Sequence, residues 1–144
     1  MKIELKVKDK ELIALLNKLE QELPVKVDNA LYATAQLANQ MILDRTEKGR
    51  SVTGAYFKRY SPKYAMFRAK KGRQVSPVNL NFTGKMLSSM AAFKGRGKAT
   101  IKFSRAEENK KAYHNHFTNG RPFFGISKPE LKRLTAFFAR KVFA

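Results

Sequence analysis

Across residues 48–106 the chain carries fifteen Lys and Arg and not one Asp or Glu. A stretch of 59 residues without a carboxylate cannot neutralise itself. Its positive field has to face solvent counterions, nucleic acid or an acidic protein partner. The flanks differ. Residues 1–47 hold seven basic and eight acidic side chains, and residues 107–144 hold eight basic and three acidic. The net charge of +19 is therefore concentrated in the middle of the chain.

With 144 residues, 43% of them hydrophobic, the chain has the size and composition of one globular domain spanning 1–144. It has no cysteine, which excludes disulfide frameworks, thiolate catalysis and cysteine-ligated zinc. The first ten residues alternate charged and apolar side chains, unlike the continuous apolar run of a signal peptide. No stretch approaches the roughly 20 apolar residues that span a bilayer. These features predict a soluble intracellular product with no membrane association.

Hydrophobic periodicity predicts an α+β fold, a small antiparallel sheet packed by a long N-terminal helix pair and a C-terminal helix. Ile3, Leu5 and Val7 alternate with charged residues, the period of a half-buried strand. Asp9 is a candidate N-cap for a helix with Leu12, Leu15, Leu16 and Leu19 on one face. After Pro24 a second helix is expected over about 25–47, with Val27, Leu31, Leu37, Met41 and Ile42 as its apolar stripe. Ser61-Pro62 places serine at N-cap and proline at N1 of a short helix running to about Lys71, and Gly72 stops it. A further short helix is expected over 85–90. Strands over 90–94 and 99–103 are joined by a glycine-containing hairpin tip. Residues 112–117 are ambiguous, and 121–126 read as apolar and extended. Ser127-Lys128-Pro129-Glu130 has the form of an N-cap signature for a last helix over 129–142.

Candidates for chemistry are few. His114 and His116 are the only histidines, and at i and i+2 they share a side only in a strand. Two nitrogens make an incomplete zinc site. Ser61, Ser88 and Ser89 have no histidine or lysine at a recognisable spacing, and no nucleophile elbow or phosphate-binding loop is present. The expectation is a protein without catalytic, metal or cofactor sites.

Two basic clusters are candidate contacts for nucleic acid or an acidic partner: Arg68, Lys70, Lys71 and Arg73, and the hairpin residues Lys94, Arg96 and Lys98. Tyr60, Tyr64 and Phe67, three and four apart, suit one buried helix face; the other possibility is a platform for stacking unpaired bases. Phe123 and Phe124 would point to opposite faces of an extended segment. One could then meet a neighbouring subunit, or both could be buried by the last helix. Phe143, near the chain end, is a further interface candidate.

Several segments in succession carry a resemblance. Tyr60-Ser61-Pro62-Lys63-Tyr64-Ala65 is followed by Arg68 and a basic glycine turn, then by Val78-Asn79-Leu80-Asn81-Phe82-Thr83-Gly84-Lys85-Met86-Leu87. Tyr113-His114-Asn115-His116 and Arg121-Pro122-Phe123-Phe124-Gly125-Ile126-Ser127 come after it. From about residue 9 to 135 this order resembles the phage virion morphogenesis proteins, the G-like family of Mu-type phages and related neck and tail-completion proteins. Gly120 stands where the family places a glycine after the tyrosine–histidine segment, while Asn115-His116-Phe117 departs from that pattern.

The resemblance implies an α+β, non-enzymatic subunit that forms a homo-oligomeric ring at the head–tail junction of a virion. Such a ring touches other head–tail proteins, and DNA passes through its bore. It carries over no catalytic residues. The other expectation is a free, non-sequence-specific basic nucleic-acid-binding protein. A small nuclease using His114 or His116 is the third.

Overall fold

The computed structural model describes residues 1–6, 10, 14 and 24–143. Val7 and the helix expected after Asp9, with Leu12, Leu15, Leu16 and Leu19, fall outside the described residues. The α+β architecture is as expected: a three-stranded antiparallel sheet packed against helices.

Three strands, β1 (Lys2–Lys6), β2 (Met90–Lys94) and β3 (Lys98–Phe103), lie in the order β1-β3-β2. Ile3 pairs with Ile101, and Ala92 pairs with Ile101 from the other side, so one face of the sheet is apolar. Ala99, Ile101 and Phe103 of the central strand are buried on that face. The opposite face is solvated, which an antiparallel sheet permits.

The long helix α1 (Pro24–Glu47) covers the apolar face. Its buried residues Leu31, Thr34, Ala35, Ala38, Met41 and Ile42 follow the 3.6-residue period. Small side chains at 30, 35 and 38 let helix and sheet approach closely. From the expected stripe, Val27 and Leu37 stand only half-buried at its margin.

Two short helices follow, α2 (Pro62–Lys70) and α3 (Lys85–Ser88). Ser61 Oγ accepts the Tyr64 N–H at 3.3 Å, the capping role its position before Pro62 predicts. The ambiguous stretch proves helical: α4 (Ala106–Tyr113) passes directly into a π-helical turn, His114–Thr118. The two histidines therefore do not share a strand face. His114 is exposed and His116 half-buried, and no group of three potential metal ligands exists among the described residues.

The final helix, α5 (Lys128–Phe143), packs on α1. Ser127 and Glu130 form a reciprocal capping box. The Ser127 N–H donates to Glu130 Oε1 at 2.9 Å, and the Glu130 N–H donates to Ser127 Oγ at 3.3 Å. Burial alone would raise the Glu130 pKa; the Ser127 N–H and the Arg45 guanidinium outweigh it and hold the carboxylate below its ordinary range. No helix among the described residues is long and apolar enough to cross a membrane.

The extended 121–126 segment joins no sheet. Arginines grip it from both sides. Arg45 of α1 donates to Phe123 O at 3.1 Å and Gly125 O at 2.6 Å, and its Nε meets Glu130 at 3.2 Å. Arg121 donates to Lys58 O at 2.8 Å and Arg59 O at 2.9 Å. Freed from strand alternation, Phe123 and Phe124 both turn inward around Phe103, with ring centroids at 6.3 and 5.1 Å. Both are buried, so the interface role weighed for them is corrected to a core role.

Candidate binding surfaces

The first surface is the solvated face of the sheet. Cross-strand partners in an antiparallel pair share a face, and here Lys2 lies opposite Lys102 while Lys6 lies opposite Lys98. Among the described residues only Glu4, opposite Thr100, offsets them. Its carboxylate reaches Lys2 at 3.1 Å, Lys6 at 3.3 Å and Lys98 at 3.7 Å. Hydrogen bonds from Lys2 and then Lys6 hold the Glu4 pKa below its ordinary value. Phe93 adds a part-exposed ring on the same face, with Lys102 Nζ 4.6 Å from its centroid.

Residues 48–106 supply much of the remaining field. Arg68 is buried and Arg50 half-buried; the other cations of that segment are exposed. Of all fifteen, Lys98 alone forms an ion pair among the described residues.

The hairpin cations do not act as one cluster. Lys98 belongs to the solvated sheet face. Lys94 turns to the helix side, where its ammonium is bonded to Asn29 at the start of α1. Gly97 N donates to Asp28 Oδ1 at 2.8 Å, so the tip is docked on α1 and does not project freely. Arg96 remains exposed at the turn.

The first basic cluster also divides. Lys70, Lys71 and Arg73 are exposed, but Arg68 is 1% exposed and bonded within the subunit. Its Nε donates to Gln74 O at 2.8 Å, and Nη2 donates to Asn81 O at 2.7 Å and Asn79 Oδ1 at 3.4 Å. Its Cζ lies 4.6, 5.8 and 5.7 Å from the ring centroids of Tyr60, Tyr64 and Phe82. Carbonyl acceptors and ring faces thus replace the water a buried guanidinium has lost. Arg68 is an internal tie between α2 and the 74–82 loop, which corrects its expected place in a contact surface.

The same aromatic group forms one wall of a second surface, a cleft of ≈ 800 Å³. The cleft lies between α2, the 80–84 loop, α3 and the α4–π-turn segment. Tyr64 stacks on Phe67 at 6.0 Å, and Phe67 on Phe82 at 5.8 Å with planes 8° apart. Tyr64 and Phe67 are 40% and 45% exposed, so the buried helix face expected for them is not formed. Tyr60, half-buried, accepts the Leu80 N–H at 3.3 Å and lies near both Arg68 and Arg121. Burial raises its pKa and lowers that of Arg121.

Lys58, Arg59 and Lys111 are exposed at the rim, and Leu80, Met86 and Leu87 are apolar lining. Glu108, 2% exposed, stands on the α4 wall. Its Oε1 meets Lys111 Nζ at 3.1 Å, and its Oε2 is buried with no partner among the described residues. A carboxylate left half-satisfied is a mark of sites more than of scaffolds. In the sequence it stands out only with Glu107, as one of the acids nearest the two histidines.

Of the remaining interface candidates, Phe143 is 49% exposed at the end of α5. Tyr113 and Phe117, not singled out in the sequence, form an exposed pair with centroids 4.8 Å apart. Fold and surfaces together define a small α+β fold with a cationic sheet face and an aromatic-walled cleft. Comparison with protein-family models, curated proteins and solved structures finds no match.

Proposed function

We propose that the chain is a structural virion morphogenesis protein, a ring-forming neck or tail-completion subunit at a phage head–tail junction. In that setting its lysine-bearing sheet face turns toward DNA in the bore or toward acidic surfaces of adjoining virion proteins. One observation carries the reading: Lys2 faces Lys102 and Lys6 faces Lys98 across the β1–β3 pair, with one glutamate between them. Directly opposed like charges weaken a sheet. A fold that places two such pairs on one solvated face is suited to a polyanion lying against it.

The resemblance supports the same reading from another side. Its arginine–proline–phenylalanine–phenylalanine–glycine block holds α1, α5 and the 58–60 segment together in this fold through Arg121, Arg45 and the capping box. A motif with an architectural role suits a structural family. The test is the identity of the flanking reading frames. Capsid, connector and tail-tube genes beside this one are the expected result; flanking genes unrelated to virions would overturn it.

A second reading, a free non-sequence-specific nucleic-acid-binding protein, draws on the same face and on the exposed cations of 48–106. It is separated from the first by duplex-DNA affinity of the isolated chain. Tight binding with a steep salt slope, together with a lone subunit at every concentration, favours it.

A further inference from the structure

The aromatic-walled cleft is a better-formed site than the sheet face, and its chemistry points to a different kind of partner. Its volume of ≈ 800 Å³ falls in the range of ligand-binding clefts. Its rim carries Lys58 and Arg59, and Lys111 already paired with Glu108 on the wall, a net positive lining that favours an occupant with negative charge. The ring faces are largely taken: Tyr64 and Phe82 stack on Phe67, and Arg68 lies over Tyr60, Tyr64 and Phe82. Ring edges carry partial positive charge and complement carboxylates, whereas a nucleobase needs an open face.

We infer that the cleft receives an acidic peptide segment of a partner protein, with an apolar side chain seated against Leu80, Met86 and Leu87 and its carboxylates at Lys58, Arg59 and Lys111. This rests on the assembly reading only in supplying a protein partner. The experiment below uses the isolated chain, so it can fail while the flanking reading frames still identify a virion protein, and the reverse.

The probe is a fluorescein-labelled eight-residue peptide of alternating Glu and Phe, followed by fluorescence anisotropy at fixed ionic strength. Comparison probes are all-Glu, alternating Lys and Phe, and single-stranded oligo-dT. The Glu–Phe peptide should bind at least tenfold more tightly than each of the other three. The double variant Arg59→Glu/Lys111→Glu should lose at least tenfold of that affinity, while Lys132→Glu/Arg133→Glu, exposed on α5 and outside the cleft lining, should lose less than twofold. Both pairs are exposed, and an unchanged thermal transition would show that each variant folds. Equal binding of all-Glu peptide would reduce the cleft to a generic cationic surface and overturn the proposal. So would tighter binding of oligo-dT that depends on Arg59 and Lys111, or equal losses from the two double variants.

Discussion

Lys2 and Lys102 stand directly opposite each other on the solvated face of the β1–β3 pair, and the nearest counter-charge among the described residues, Glu4, is bonded to Lys2 rather than to Lys102. Lys102 instead leans over the Phe93 ring. Replacing Lys102 by glutamate should turn a repulsive cross-strand pair into an attractive one. The expected gain is about 0.5 kcal/mol of stability at low salt, measured by chemical denaturation. The same variant should bind duplex DNA less tightly, its log-affinity against log-salt slope falling by about 0.9. A variant that gains stability and keeps full DNA affinity would show that this face meets no polyanion.

Arg68 presents the opposite case, a cation whose value is internal. Arg68→Ala removes three hydrogen bonds and leaves Gln74 O and Asn81 O without their donor. A loss of about 3 kcal/mol is expected, with little change in DNA affinity. Arg68→Lys should recover less than half of it, because one ammonium cannot reproduce the planar fork that spans Gln74 and Asn81. Urea unfolding of the two variants measures both quantities. Full recovery by lysine would mean that charge alone matters at this position.

His116 makes stability depend on pH. Burial lowers its pKa, and Nδ1 accepts the Phe124 N–H at 3.2 Å, which only the unprotonated ring can do. Its folded value lies below the ordinary value of about 6.5, so its contribution is complete above that pH. The contribution is lost as pH falls through the folded value. His116→Asn keeps an acceptor at the same place and removes the titration. Thermal transitions recorded from pH 7.5 down to 5 should therefore fall further for the parent than for the variant. A constant gap across that range would assign the acid loss to other groups.

Gly49 closes the turn after α1 with φ of +76°, and a Cβ placed there would lie 2.6 Å from Pro77 Cβ. Gly49→Ala adds left-handed strain to a steric clash between two loops. Together these are expected to cost about 2–4 kcal/mol. Gly54, with φ of +87° and no atom near a built Cβ, separates the two effects. Gly54→Ala should cost only the backbone part, about 1 kcal/mol. Calorimetry on both variants tests the difference.

What was legible in the sequence was local. The alternation of Ile3 and Leu5, the Leu31, Met41 and Ile42 part of the α1 stripe, the Ser61-Pro62 cap, the capping box at Ser127 and the glycine-tipped hairpin each depend on neighbours within a few residues. Helix α4 was missed because it has almost no apolar stripe; only Ala112 and Glu108 are buried in it. Its one local signal, Glu107 and Glu108 in the first turn, suits a helix N-terminus but is weak by itself. Arg68 could not be told from Lys70, Lys71 and Arg73 in sequence. The acceptors that bury it come from the Gln74 and Asn79–Asn81 positions, brought back by the loop. The division of Lys94 from Lys98 follows from strand register, which a turn of unspecified length leaves open. The inward turn of both Phe123 and Phe124 required the arginine clamps: Arg45 lies 78 residues from Phe123, and Arg121, inside the segment, is tied to Lys58, 63 residues away.

The most direct test of the assembly reading is the mass of the native chain, measured by native mass spectrometry and by light scattering from micromolar to millimolar concentration in moderate salt. The account predicts a discrete closed oligomer that grows with concentration at the expense of the 16.4 kDa subunit. It further predicts that Phe143→Ser shifts this equilibrium toward the subunit while the thermal transition is kept. A single 16.4 kDa species at every concentration would contradict it.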